Sequence, residues 1–206
     1  MVPHGDKTDQ VIEYLVVRFP GRLGRTALVK LLYLCDLETH KRFGSRVTDL
    51  AFKVDKHGPF DRRFFEHIGH ATRAGCIDEG SVEYKPSVRG ALYSPHKASQ
   101  ARMPSLSAHE RRIVEYVGNS FGHLPLQRLL EVVYSTKPFM RAQRSGKGTV
   151  IEWRNEDKEQ NPALARLDLG RVMAGEEEAL AGRVTPSAAL RDEVRRRIRE
   201  HGQRRP

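Results

Sequence analysis

The stretch Lys30-Leu31-Leu32-Tyr33-Leu34-Cys35-Asp36 lies within the strongest helical pattern of the sequence. Apolar side chains recur at helical spacing from about residue 25 to residue 42, which predicts one long helix with a wide apolar face. Within it, Tyr33, Asp36 and His40 follow one another at offsets of three and four residues, so they share one side of the helix. We expect Asp36 and His40 to form a hydrogen-bonded pair in a buried setting.

The rest of the chain adds further helical patterns and a little strand. Gly44 follows the long helix as a candidate left-handed C-cap, and Ser107 with Glu110 forms a capping box that begins another helix. Helical patterns cover residues 11–19, 60–71, 107–118 and 124–134, an extended stretch covers 47–54, and a hairpin covers 81–92. We therefore predict a mainly α fold: a compact domain of about five to six helices with a small antiparallel hairpin over residues 1–145.

Residues 146–206 are predicted to form a C-terminal extension, because few apolar side chains are available there for a separate core. Leu190, Val194 and Ile198 stand at four-residue steps, which predicts a basic amphipathic helix over residues 185–200. The arginines around this narrow stripe are candidates for contact with nucleic acid or with an acidic protein groove: Arg191, Arg195, Arg196, Arg197 and Arg199. A merely solvated terminal helix is the alternative.

The composition narrows the class of protein. The 206 residues, 38% of them hydrophobic and 30% charged, are enough to bury one core. No window approaches the roughly 18 apolar residues of a membrane span, and two cysteines do not make a disulfide framework. We expect a cytoplasmic protein with reduced thiols and no membrane contact. The net charge of +10 favours an acidic partner.

Two groups of polar residues are candidates for a catalytic or a metal site. Asp36 and His40 match a general base with its orienting partner, but no nucleophile pattern accompanies them, so we expect an architectural pair and no enzyme. His67 and His70, with Cys76 or His57, offer nitrogen and sulfur ligands for zinc. Because neither cysteine has a second cysteine two to four residues away, we expect surface histidines, no metal site and no cofactor.

The helical patterns at 107–118 and 124–134 have the spacing of a helix-turn-helix, which makes DNA binding an alternative function. The exposed positions of the second helix include Gln127, Arg128 and Glu131, only one of which is cationic. A plain helical hairpin is therefore the preferred interpretation of this pair. The arginine-rich tail is the better electrostatic candidate for nucleic acid.

Several motifs together resemble the Panacea domain, the SocA-type antitoxin family. The run Lys30–Asp36 is followed by His40, Gly44 and His57-Gly58-Pro59 in the order and spacing of that family. A second block, residues 106–134 and then Lys137-Pro138-Phe139-Met140-Arg141-Ala142, is similar to the family's closing helices and their proline-aromatic turn. The resemblance covers about residues 10–145. His57, Ser135-Thr136 and Phe139 depart from the family's usual residues.

The resemblance implies a mostly helical domain with a small antiparallel sheet and no catalytic activity. It implies neutralisation of a cognate protein toxin by direct binding, and in one member delivery of the toxin to a protease, for which we consider the Clp type. The motif residues are then structural: Lys30, Tyr33, Asp36, His40, Gly44, Gly58, Pro59, Pro138 and Phe139. We expect the toxin surface in segments 51–60, 82–93 and beyond 145, with the contact candidates Phe52, Lys53, Asp55, His57, Phe60 and Arg62. A DNA-binding transcriptional regulator remains the alternative.

Overall fold

A computed structural model describes residues 6–20, 23–85, 88–96 and 105–158, except for the side chains at 84, 85, 88 and 89. These residues form six α-helices, which confirms the mainly α fold. The helices are α1 (Lys7–Arg18), α2 (Arg25–Phe43), α3 (Phe64–Arg73), α4 (Ala108–Phe121), α5 (Leu126–Tyr134) and α6 (Lys137–Arg144). The strands are β1 (Leu23–Gly24), β2 (Lys53–Asp55), β3 (Gly58–Phe60), β4 (Ile77–Lys85) and β5 (Val88–Pro95).

Helix α2 is the centre of the domain. The sequence predicts a single wide apolar face, but every residue from Leu28 to His40 is buried because α1, α4, α5 and strands surround the helix. Polar residues in this stretch therefore need partners inside the protein. The helix ends as predicted at Gly44, whose φ of 69° is left-handed and whose N–H donates to the His40 carbonyl.

The strands form two small antiparallel sheets. The predicted hairpin at 81–92 is longer, since β4 pairs with β5 from Ile77 to Pro95, and β1 adds a third strand in the order β1-β5-β4. The motif residues His57-Gly58-Pro59 are part of a second hairpin, in which β2 pairs with β3. Gly58 has a φ of 90°, a conformation that favours glycine.

Of the closing helices, α4 begins as the sequence predicts, whereas α6 was not predicted as a helix. The capping box of Ser107 and Glu110 is confirmed at the start of α4. The segment that begins at Lys137, expected from the resemblance to be a proline-aromatic turn, is the short helix α6. Pro138 lies in its first turn, and Phe139 and Ala142 are buried. Only these few apolar residues mark α6, so its sequence pattern is weak.

Residues 148–158 pack back on the preceding elements as an extended arm. The Val54 N–H donates to the Thr149 carbonyl and the Ile151 N–H to the Phe52 carbonyl, each at 2.9 Å. Arg141 of α6 forms an ion pair with Asp157 at 2.7 Å. Among the described residues, the arm as far as Lys158 therefore belongs to the same compact unit as the helices, while the domain boundary at 145 stays a prediction. The helix predicted at 185–200 lies outside the described residues.

No described helix combines the length and the apolar character that crossing a bilayer requires.

Candidate functional site

The first residue of the motif, Lys30, holds the β2-β3 hairpin against α2. Its side chain is buried, and Nζ donates to the Pro59 carbonyl at 2.7 Å. Burial lowers the pKa of Lys30 to about 7, although the nearby charge of Asp55 opposes the shift. A Cβ on Gly58 would lie 2.6 Å from the Tyr134 ring, so only glycine fits at this point of the hairpin.

Tyr33 connects α2 to the turn between α5 and α6. Thr136 donates its hydroxyl proton to the Val133 carbonyl, so the Tyr33 hydroxyl donates to Thr136 Oγ1 at 2.8 Å. The Tyr33 ring centroid lies 5.5 Å from the centroids of both Phe52 and Trp153. Because burial raises the pKa of Tyr33 well above its ordinary value, the hydroxyl stays neutral at physiological pH.

Asp36 and His40 do not form the predicted pair, because each has a different partner in the described residues. Asp36 Oδ1 accepts from the N–H groups of Val47 and Thr48 at 2.9 and 2.7 Å, and Oδ2 accepts from the Thr48 hydroxyl at 2.7 Å. His40 Nε2 donates to the Arg154 carbonyl at 2.9 Å. Burial raises the pKa of Asp36 to about 7, against the three donors that favour the carboxylate.

The remaining motif residues, Pro138 and Phe139, are buried at the start of α6. The Phe139 ring stacks on Tyr134 with centroids 5.2 Å apart and an interplanar angle of 17°. Four polar side chains of α2 thus hold four separate segments in place, namely the β2-β3 hairpin, the α5-α6 turn, the loop at 47–48 and the arm at 154. This arrangement describes an architectural motif.

The contact candidates predicted around the β2-β3 hairpin differ in exposure. Lys53, His57 and Arg62 are exposed, whereas Asp55 and Phe60 are half-buried. Phe52 is 1% exposed and packs against the Tyr33 ring, so it belongs to the core and not to a contact surface. It faces inward because side chains alternate along the extended chain, with Lys53 on the outer side.

An aromatic group beside these candidates was not predicted from the sequence. Phe65 is 46% exposed, and its ring centroid lies 5.7 Å from that of Phe60. The Arg25 guanidinium lies 5.0 Å from the centre of the Phe65 ring. We call Arg25, Phe60 and Phe65 the aromatic face. The Phe64-Phe65 doublet was the available signal, because helical spacing buries Phe64 and so turns Phe65 outward.

The features weighed for nucleic acid are only partly within the described residues. In α5, Arg128 is exposed and forms an ion pair with Glu131 at 2.7 Å, which reduces the positive charge that this helix offers. The arginines at 191, 195, 196, 197 and 199 lie outside the described residues.

The histidines weighed for metal binding lie beside acidic residues. Among the described residues, His67 and His70 of α3 lie together with Asp9 of α1, and neither His57 nor Cys76 belongs to this group. The Cys76 thiol hydrogen-bonds Glu13 instead, and burial with this acidic neighbour raises its pKa. Sequence spacing identified the two histidines but gave no indication of Asp9.

The fold and the motif define a small helical domain whose polar motif residues support its architecture. The family model "Antitoxin SocA-like, Panacea domain" matches residues 28–138, which is more than half of the chain and includes each motif residue up to Pro138. The chain therefore belongs to the SocA-like Panacea antitoxin family, as its motifs indicated. No curated protein and no solved structure matches it.

Proposed function

We propose that this chain is an antitoxin that neutralises its cognate protein toxin in the cytoplasm by direct binding through the aromatic face, without catalysing a reaction. Membership in an antitoxin family supports a toxin as the partner. The exposure of Phe65 beside Phe60 and Arg25 carries the choice of surface. Aromatic residues and arginine are the side chains that most often supply binding energy at protein interfaces.

The surroundings of the aromatic face favour an acidic toxin surface. Lys53, His57 and Arg62 are exposed on the adjoining hairpin and the turn that follows it. The whole chain has a net charge of +10. The positive charges of Lys53 and Arg62 increase the association rate and select for a partner of opposite charge, while the apolar centre contributes most of the affinity.

The hydrogen bonds of the motif residues support a function without catalysis. The carboxylate of Asp36 is occupied by three donors, and the Nε2 proton of His40 is used by a backbone carbonyl. A general base must also reach its substrate, and these two side chains are buried, at 0% and 5% exposed. These two side chains instead satisfy backbone groups of neighbouring segments.

The proposal is tested by expressing the product of the adjoining gene, as the toxin to be tried, with and without this chain. We expect growth arrest with the toxin alone and normal growth with both. Phe65→Ala should abolish the rescue. Phe43→Ala is the matched control and should keep the rescue: Phe43 is exposed to a similar extent, at 45%, but lies beside His109 of α4 and not on the aromatic face. Equal rescue by both variants would exclude the aromatic face as the binding surface.

Two readouts separate the proposal from its alternatives. A toxin held by direct binding stays intact and copurifies with this chain at moderate salt, whereas delivery to a Clp-type protease lowers the amount of toxin. If the chain is instead a DNA-binding regulator, nucleic acid should copurify with it, and its affinity for that nucleic acid should fall steeply as the salt concentration is raised. Recovery of nucleic acid without a toxin would contradict the antitoxin proposal.

A further inference from the structure

His67 lies at the junction of α1, α3 and the loop that precedes the β2-β3 hairpin, and both of its ring nitrogens meet carboxylates. Its side chain is 6% exposed, with Nδ1 at 2.8 Å from Asp9 Oδ1 and Nε2 at 3.1 Å from Asp49 Oδ1. One helical turn further on, His70 Nδ1 lies 3.8 Å from the other oxygen of Asp9. Two imidazoles and one carboxylate therefore converge from two helices.

We propose that Asp9, His67 and His70 form a binding site for a zinc-class divalent cation, a site that is independent of the aromatic face. One ligand atom from each of these residues lies within 4.8 Å of the other two. Tetrahedral zinc with bonds of about 2.0 Å separates neighbouring ligand atoms by about 3.3 Å. The two distances to Asp9, 2.8 and 3.8 Å, lie on either side of this value, so these residues can supply three of the four tetrahedral ligands and water the fourth.

The neighbours of His67 match the outer shell of a zinc site. A histidine that binds zinc through one nitrogen commonly donates its other N–H to a carboxylate, which fixes the ring orientation. Asp49 occupies this position at Nε2, and the Thr8 hydroxyl donates to the same Asp49 oxygen at 2.8 Å. The ring of His67 is therefore already oriented with Nδ1 towards Asp9.

The charge around His67 also favours a cation, although the chain as a whole is basic. Asp6, Asp9 and Asp49 each place an oxygen within 4 Å of the His67 ring nitrogens. These three carboxylates provide local negative charge for a cation at this site.

A second arrangement, Asp6 with Asp49 and His67, has the same ligand types but less freedom to bind an ion. Asp6 Oδ1 accepts from the Asp9 N–H as the N-cap of α1. Asp49 accepts from Thr8 and forms an ion pair with Arg63 at 3.0 Å. In contrast, the contacts of the Asp9 carboxylate are with the two histidines of the proposed site. An ion there would join α1 to α3.

The test uses the full chain after removal of metals with a chelator. One equivalent of Zn²⁺ should bind with one-to-one stoichiometry in calorimetry. It should raise the Tm of the wild type by about 5 °C, because ligand bound only to the native state stabilises it. Co²⁺ should give the absorption of a tetrahedral site without a sulfur-to-cobalt charge-transfer band, since cysteine is not a proposed ligand.

His70→Ala is the decisive variant, because this side chain is 56% exposed and its removal should leave the Tm of the metal-free chain unchanged. The variant should lose the response to Zn²⁺ and bind at least tenfold more weakly. His57→Ala removes an exposed histidine elsewhere and should respond like the wild type. An absent response in the wild type, an equal response in His70→Ala, or a sulfur-to-cobalt band would overturn the proposal.

Discussion

The interior of α2 and the aromatic face use polar and aromatic side chains in opposite ways. In α2, Lys30, Tyr33 and Asp36 are almost completely buried, and each hydrogen-bonds a segment that is distant in sequence. On the aromatic face, Phe65 is 46% exposed and contacts the Phe60 and Phe64 rings and Arg25. The residues that identify the family therefore build the domain, while we expect the exposed Phe65, which we propose to bind the toxin, to contribute little to its stability.

This difference gives the two regions separate signatures in a mutation experiment. Changes inside α2 leave buried donors or acceptors without partners, which is costly in the folded state. Changes on the aromatic face remove side chains that water already contacts. Stability measurements should therefore separate the two groups of residues before any binding is measured.

The largest effect is expected for Asp36→Ala. The substitution leaves the N–H groups of Val47 and Thr48 buried without an acceptor, so we expect a loss of about 3 kcal/mol in the free energy of unfolding. Toxin binding should weaken in parallel with the fraction unfolded. Urea unfolding measures the loss, and Asp78→Ala, at a 58% exposed side chain, is the control. Weakened binding with an unchanged Tm would contradict an architectural role.

Lys30→Met should change how stability depends on pH. Burial lowers the pKa of Lys30 to about 7 in the folded chain, while the unfolded chain keeps the ordinary value of 10.5. Between these values the unfolded state binds more protons, so this lysine makes stability rise with pH by up to about 1.4 kcal/mol per unit. Methionine removes that contribution.

The comparison for Lys30→Met consists of urea unfolding at pH 7.5, 8.25 and 9 for both proteins. The wild type should gain stability relative to the variant as the pH rises. Parallel pH profiles of the two proteins would contradict the structure, in which burial desolvates the ammonium of Lys30.

Tyr33→Phe is expected to have a smaller effect. The ring keeps its contacts with Phe52 and Trp153, but the hydrogen bond to Thr136 is lost, so the free energy of unfolding should fall by about 1 kcal/mol. Thermal unfolding checks this value. A loss above about 3 kcal/mol would mean that the hydroxyl does more than connect α2 to the α5-α6 turn.

The sequence predicts those features that local patterns determine. A helix from about residue 25 to residue 42 was expected because its apolar periodicity is strong, and the Ser107 capping box depends on two residues only three positions apart. The family motif identified Lys30 and Asp36 as structural residues. Their partners, Pro59 and Thr48, lie in loops whose paths are set by tertiary packing and not by local spacing.

The predictions that were wrong also concern contacts that tertiary packing determines. The spacing of Asp36 and His40 is compatible with a pair, but backbone groups at 47, 48 and 154 compete for these side chains only after the chain has folded. Phe52 was expected on a contact surface, but it is buried. Which residues of a short extended segment are exposed depends on the side of the hairpin that packs on α2, and the sequence does not determine that side. The exposure of Phe65 likewise depends on the packing of α3.

The most direct test of the account measures stability and toxin affinity together for Tyr33→Phe and Phe65→Ala, with the toxin identified by co-expression. We predict that Tyr33→Phe loses about 1 kcal/mol of stability and keeps the Kd of the wild type at a temperature where it is folded. Phe65→Ala should change stability by less than about 0.5 kcal/mol and weaken binding at least tenfold. A weakened Kd for Tyr33→Phe with an unchanged Kd for Phe65→Ala would contradict the account.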